Sequence, residues 1–138
     1  MEATTPAPPR PVVAVGGIAV VDGALLLVQR ATPPQVGRWT LPGGRVEPGE
    51  TMTAAVEREL LEETALSVRC GSFVGWAERR GHGYHYVIFD FAVTTHGRGT
   101  PVAGSDAAAV AWVSLADVAA LPLVEDLQGF LEQHGVLG

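Results

Sequence analysis

Three glutamates stand close together in the sequence RELLEE, midway along the chain. On a helix, Glu59, Glu62 and Glu63 would fall within an arc of about 100° on one face, where their like charges would repel. Carboxylate oxygens are ligands that Mg²⁺ and Mn²⁺ prefer, and a carbonyl of Gly43 or Gly44 could add a main-chain ligand. The cluster therefore indicates either a divalent-metal site or, as for most isolated charged strings, a solvated face.

The composition excludes several classes of partner. Of 138 residues 47% are apolar and 17% charged, which is typical of a protein with a packed core. The formal net charge of −6 argues against general affinity for nucleic acid or anionic membranes. No apolar run is long enough to span a membrane, no secretory leader is evident, and Cys70 alone cannot form an intramolecular disulfide. We therefore expect a cytoplasmic protein.

The elements that must position the glutamates begin with a lead-in and a hairpin. Residues 1–10 are rich in Pro and Thr, which predicts a disordered lead-in to a single domain over residues 11–138. Two β-rich runs follow, at 11–21 and 24–30. Between them lies Asp22-Gly23, a strong signal for a type I′ turn because both of its central residues need positive φ.

The remaining pattern predicts an α+β protein. The segment from Thr51 to about Leu66 contains no Gly or Pro and is dominated by Ala, Leu and Glu, which predicts the helix that carries the glutamates. Further strands are expected at 39–41, 67–79, 84–95 and 109–114, and further helices at 115–121 and 124–134. The result is a mixed sheet with helices packed on it.

The residues around the glutamates extend the motif. Gly44 is followed by five residues, Glu50, seven residues and then RELLEE. This string resembles the signature of the Nudix hydrolases at every position but one, since Ala65 stands where the signature has Gly. The resemblance extends beyond the signature to the hairpin before it, to WTLPGG leading into it and to AWVSLADV after it. It therefore covers most of residues 12–134. A Gly would favour a left-handed helix end, so Ala65 costs up to about 1 kcal/mol or lengthens the helix slightly.

The resemblance implies a Nudix-like α/β/α sandwich, a mixed sheet flanked by helices, and a role for each residue of the signature. Arg58 and Glu50 would pair to brace the loop against the helix; the alternative is an ordinary surface salt bridge worth less than about 1 kcal/mol. One of the glutamates, or a carboxylate on a later loop, would serve as general base. The ligands of Mg²⁺ or Mn²⁺ would be Glu59, Glu62, Glu63 and the carbonyl of Gly43.

The resemblance also implies a reaction, hydrolysis inside the pyrophosphate of a nucleoside diphosphate linked to another group. A small bacterial-type hydrolase of ADP-ribose, releasing AMP and ribose 5-phosphate, is the first expectation. The alternatives are hydrolysis of (d)NTPs or dinucleoside polyphosphates, and a nucleotide-sensing module without turnover. The partner would be a small-molecule nucleotide, and such relatives are often homodimers.

Residues that would recognise the substrate are less clearly marked. Asp106 lies in a loop six residues before Trp112, where it is either a further acidic residue near the metals or a local Asx turn. His82 and His85 flank a turn and favour a solvated loop. Candidates for stacking on a base are Trp39, Trp76 and Tyr84, although Trp on a strand is more often core. Candidates for phosphate or ribose contacts are Arg30, Arg38, Arg45, Arg79 and Arg80.

Overall fold

The computed structural model describes residues 7–138. Most of the predicted lead-in, residues 1–6, lies outside the described residues, and that prediction is untested there. Residues 7–10 are exposed and have no regular secondary structure. Within the described chain, no helix is long and apolar enough to cross a membrane.

The described part of the chain contains two sheets. The first is mixed, with strand order β5-β1-β7-β6; β1 runs parallel to β7, and the other pairs are antiparallel. The second is antiparallel and is built around β3, which pairs with β2, β4 and β8. The strands are β1 (Val12–Ile18), β2 (Val20–Val21), β3 (Ala24–Arg30), β4 (Trp39–Thr40), β5 (Gly43–Arg45), β6 (Arg69–Gly81), β7 (Tyr84–Thr94) and β8 (Ala107–Ser114).

The predicted hairpin turn is confirmed, but the run before it is not one strand. Asp22 and Gly23 have φ of 50° and 76°, as a type I′ turn requires, and they join β2 to β3. The run at 11–21 is broken at Ala19, so that β1 belongs to the first sheet and β2 to the second. Continuous burial from Ala14 to Ala19 conceals this change of partner, because a run buried throughout shows no alternation.

Strand β3 is buried on both faces, as expected for a layered α/β/α sandwich in which helices cover each side. Leu25 and Leu27 face one apolar cluster, which includes Leu131 of the C-terminal helix. Leu26 faces the other cluster, which includes Leu60 of the long helix. The sequence ALLLV therefore lacks hydrophobic alternation because helices cover both faces of its sheet.

The long helix, α1 (Met52–Thr64), agrees closely with the predicted segment. Thr51 caps its start by accepting a hydrogen bond from the amide of Ala54 at 3.1 Å. Its end is left-handed: Ala65 has φ of 61° and donates its N–H to the carbonyl of Leu61. Ala65 was expected either to form a left-handed end at some cost in stability or to lengthen the helix. The structure has the left-handed end.

The two helices predicted after β8 are shorter than expected. Residues 115–121 form only a 3₁₀ turn, Val118–Ala120, because Leu121 is extended, as is usual for a residue before proline, and ends the helix there. The last helix, α2, spans Leu127–Gln133 and not 124–134. The backbone of Val124 is engaged elsewhere, since its amide donates to the carbonyl of Trp39 at 2.9 Å.

Replacing Ala65 with Gly should stabilise the protein by about 0.5–1 kcal/mol, because Gly adopts positive φ without the penalty of a Cβ atom. Urea denaturation measures the free energy of unfolding. The matched control is Ala54→Gly, an exposed position inside α1, which should lower it by about 0.5–1 kcal/mol. A loss of stability in Ala65→Gly would contradict the conformation of this helix end.

Candidate active site

Arg58 joins the loop after β5 to helix α1. Its Nε and Nη2 donate to the two carboxylate oxygens of Glu50 at 2.6 and 2.9 Å, and Nη2 also donates to the carbonyl of Arg45 at 3.0 Å. Its Nη1 donates to Glu59 at 2.9 Å and to Glu62 at 3.2 Å. The bond from Arg58 lowers the pKa of Glu50 to about 2. The predicted pair is therefore present and bidentate, and it belongs to a larger network.

Glu63 and Glu59 are held against the glycine loop, and Glu59 is held by Arg58 as well. The amide of Gly43 donates to Glu63 Oε2 at 3.0 Å. The pKa of Glu63 is raised to about 7, chiefly by burial; the charges of Glu59 and Asp106 act in the same direction, and the Gly43 hydrogen bond and Arg30 oppose them. Burial also raises the pKa of Glu59, whose side chain is 14% exposed. Gly44 makes room for it, because a Cβ atom there would lie 2.4 Å from the Glu59 carboxylate carbon.

The chemistry of this group fits a hard divalent cation, although its side chains do not yet form a cage. Over residues 7–138, no three His, Cys, Asp or Glu side chains are arranged to hold a metal ion. The carboxylate of Glu62 is 60% exposed and turned towards Arg58. The raised pKa values of Glu59 and Glu63 nevertheless mark two partly buried oxygen donors that a cation would stabilise in their ionised form.

Gly43, Glu59 and Glu63 line a cavity of about 660 Å³, a volume within the usual range for sites that bind small molecules. The cavity is bounded by both sheets, by the loop after β3 and by the start of α2. Asp106, on the loop before β8, also lines it, close enough to affect the pKa of Glu63. The candidate residues that the structure brings to this cavity are Gly43, Glu59, Glu63, Asp106, Arg30, Arg45, Arg79 and Tyr84.

Two of the predicted substrate contacts point elsewhere. Arg38 Nη1 donates to the carbonyl of Leu123 at 3.0 Å, which fastens β4 to the loop before α2. Trp39 packs against the apolar cluster on the α2 side of the sheets. Of the other candidates, Trp76 is 60% exposed. The Nε2 atom of His85 lies 2.6 Å from a carboxylate oxygen of Glu78. The stacking interpretation of Trp39 is therefore replaced by a core role, the commoner one for Trp on a strand.

One buried charge in the cavity wall was not among the predicted site residues. Asp90 lies in β7 and is 4% exposed. Asp is depleted in strands, so a single Asp inside the apolar run YVIFDFAV was a signal that could have identified it.

Comparison with known proteins agrees with this geometry. A family model described as the NUDIX domain matches residues 10–134. A MutT-like protein of Streptomyces ambofaciens is 33% identical over 136 residues, 93% of this chain and 83% of that protein. An ADP-ribose pyrophosphatase of Methanocaldococcus jannaschii is 48% identical over 65 residues, 47% of this chain and 38% of that protein. The crystal structure of a MutT NUDIX hydrolase from Burkholderia pseudomallei matches with a TM-score of 0.80 and 29% identity, over 91% of this chain and 98% of that one.

The fold and the site define an α/β/α protein with an acidic loop–helix unit beside a deep cavity. Since the family model covers most of the sequence, the chain belongs to the Nudix family. The expected sandwich fold is thereby confirmed. The chain spans about two fifths of the length of the curated relatives that it matches at 48–49% identity, so what it shares with them is one segment and not the whole protein.

The Glu50–Arg58 pair predicts a specific dependence of stability on pH. Because folding lowers the pKa of Glu50 from 4.5 to about 2, its contribution is fully present above about pH 4.5 and is lost as the pH falls through about 2. The stability gap between wild type and Glu50→Gln, from urea denaturation, should be constant above pH 5 and shrink towards pH 3. In an Arg58→Gln background the gap should be much smaller at every pH. A gap that stays constant down to pH 3 would contradict the pairing.

Proposed function

We propose that the protein is a Mg²⁺-dependent pyrophosphohydrolase that cleaves a nucleoside diphosphate linked to another group. The observation that carries this proposal is the pair of partly buried carboxylates, Glu59 and Glu63, with raised pKa values beside the glycine loop of a large cavity. A solvated charged face would leave both groups exposed with ordinary pKa values. Membership of the Nudix family supports the same reaction.

The chain offers a coherent set of oxygen donors for the metal. Glu59, Glu63 and the carbonyl of Gly43 would hold Mg²⁺ or Mn²⁺, and Glu62 would join them by turning its exposed carboxylate away from Arg58. When bound, the ion would polarise the phosphoryl oxygens and offset the charge between an anionic substrate and this acidic wall.

Other residues of the chain would position the substrate and move the proton. Glu63, which lies in the cavity wall with Asp106 nearby, is our first candidate for the general base that accepts a proton from an attacking water. Asp106, which lies nearby, is the alternative. Arg30 and Arg45 line the cavity and would pair with phosphate oxygens. Arg58 would act indirectly, by fixing the helix against the loop.

For the substrate we propose ADP-ribose, with (d)NTPs and dinucleoside polyphosphates as the alternatives. A stretch of 65 residues is 48% identical to part of a protein named ADP-ribose pyrophosphatase. The cavity also contains an aromatic pair, Tyr84 and Tyr86, with ring centroids 6.0 Å apart, and the guanidinium of Arg45 lies 5.8 Å from the Tyr86 ring. Such a surface suits a base or a ribose next to a phosphate.

A substrate panel tests the reaction and the substrate together. ADP-ribose, dinucleoside polyphosphates, nucleotide sugars and (d)NTPs are each incubated with Mg²⁺ or Mn²⁺, and phosphatase-releasable product is measured. We expect ADP-ribose to give the highest kcat/KM and chelation of the metal to abolish turnover. No product from any substrate with either ion would favour a nucleotide-sensing module over an enzyme.

Substituting the glutamates should separate catalysis from folding. Glu63→Gln and Glu62→Gln should each lower kcat by at least about 100-fold, because the amide binds a cation poorly and accepts no proton at neutral pH. The matched control is Glu57→Gln on the same helix, whose side chain accepts a hydrogen bond from the amide of Cys70. It should retain wild-type kcat and the same circular dichroism spectrum. Wild-type rates in both cluster variants would exclude this assignment.

Asp106→Asn tests the second acidic candidate. If Asp106 is the general base, kcat should fall by at least about 100-fold while the Mg²⁺ concentration for half-maximal rate stays the same. A change in Mg²⁺ dependence alone would assign Asp106 to the metal, and an unchanged rate would leave it as a loop residue. The three outcomes are distinguished by titrating Mg²⁺ at saturating substrate.

A further inference from the structure

Asp90 is a buried carboxylate that the reaction described above does not use. It is 4% exposed, and within the described chain its Oδ1 has no hydrogen-bond partner. Burial raises its pKa to about 6, so it is mostly ionised at neutral pH. Buried polar atoms without partners are rare and destabilising, which favours a role in binding over one in folding.

The strands around Asp90 leave it room. It lies in register with Gly16 of β1 and with Gly75 of β6, so a glycine flanks it on each side of the sheet. A Cβ atom at Gly16 would lie 2.2 Å from Asp90 Oδ1, and one at Gly75 would lie 2.6 Å from the ring of His134. Glycine weakens a strand interior and usually marks a close approach. Here one of the two glycines accommodates the carboxylate.

Asp90 belongs to a series of charges along the cavity. Arg30 is close enough to affect the pKa values of both Glu63 and Arg79, and Arg79 in turn affects that of Asp90. All four residues line the same cavity. Arg79 is fixed by a hydrogen bond to the carbonyl of Glu125. The arginine that acts on Glu63 is thus Arg30, and the arginine that acts on Asp90 is Arg79, which Asp126 of the same cavity also influences.

These charges favour different parts of a nucleotide at different parts of the cavity wall. An anionic phosphate is attracted by Arg30 and Arg79 and repelled by Asp90. A neutral group that carries N–H or O–H hydrogen is attracted by a buried carboxylate, which can only accept. The nucleoside, and not the diphosphate, therefore suits the wall around Asp90.

We propose that Asp90 is a specificity-determining residue, whose carboxylate accepts a hydrogen bond from an N–H or O–H group of the substrate's nucleoside. The donor is either the amino group of a base or a hydroxyl of the ribose. A nucleoside that lacks the donor leaves the carboxylate buried and unpaired, and it is rejected for that reason. This inference rests on the proposed function for the identity of the ligand, but its test does not require turnover.

The test measures the binding of nucleoside 5′-monophosphates by calorimetry, without metal. AMP, GMP and CMP are compared first on the wild-type chain. The tightest of them is then compared with its 2′-deoxy and 3′-deoxy forms and with the analogue that lacks the amino group, the monophosphate of purine riboside, inosine or zebularine respectively. The same set is measured on Asp90→Asn, which keeps the shape of the side chain, and on Asp90→Ala. Asp22→Asn in the β2–β3 turn is the control for loss of one charge.

The wild-type chain should bind one analogue at least about 10-fold more weakly than the parent nucleotide, since a hydrogen bond to a charged group is lost. Loss with the amine-free analogue identifies the base as donor, and loss with a deoxy form identifies the ribose. Both Asp90 variants should bind the parent about 10-fold more weakly and no longer discriminate. The melting temperature of each variant is measured alongside, so that a loss of affinity caused by unfolding is distinguished from the loss of one hydrogen bond.

Equal affinities for all analogues on the wild-type chain, or unchanged discrimination in both Asp90 variants, would overturn the inference. So would a wild-type chain that binds none of the monophosphates at millimolar concentration. These outcomes are independent of the substrate panel. A chain that binds monophosphates through Asp90 but hydrolyses nothing would refute the proposed enzyme and keep the role of Asp90.

Discussion

The geometry of the loop and helix that carry the glutamates depends on the hydrogen bonds of the Arg58 guanidinium. Its planar fork donates at the same time to Glu50, to the carbonyl of Arg45 and to two carboxylates of α1, which a lysine ammonium could not do. It also neutralises only one flank of the helix. On the cavity flank, Glu63 accepts the backbone N–H of Gly43 and has no salt bridge within residues 7–138, and its pKa is raised chiefly by burial. The asymmetry leaves one side rigid and the other ready for a cation.

The glycines of the loop make this arrangement sterically possible. A Cβ atom at Gly43 would lie 2.0 Å from the carbonyl oxygen of Val15, so β5 can approach β1 only without a side chain there. At Gly44 the obstacle would be the carboxylate of Glu59. The spacing between Gly44 and Arg58 in the sequence therefore has a physical basis. The loop must pack against the helix at van der Waals distance, and Arg58 must be placed to hydrogen-bond to it.

Features encoded by neighbouring residues could be predicted, and features that depend on distant partners could not. The turn at Asp22-Gly23 and the capped helix after Thr51 follow from local backbone preferences. The transfer of the run 11–21 from one sheet to the other at Ala19 has no local signal, because both halves are apolar and the partners of β1 lie far along the chain, in β5 and β7. The hydrogen bond from Arg38 to the carbonyl of Leu123 could not be predicted for the same reason, since the two residues are 85 positions apart.

Two carboxylates in one cavity, Glu63 and Asp90, are held in surroundings that disfavour their charge. A chain selected only for stability would favour an apolar residue at either position, because burial disfavours the charge of a carboxylate and the nearby Arg30 and Arg79 offset this only in part. A nucleotide with its metal ion would satisfy both groups at once, by bringing positive charge to Glu63 and a hydrogen-bond donor to Asp90. The arginines between them would then bind the phosphates that join those two parts. A single ligand of the proposed kind would therefore account for both buried carboxylates.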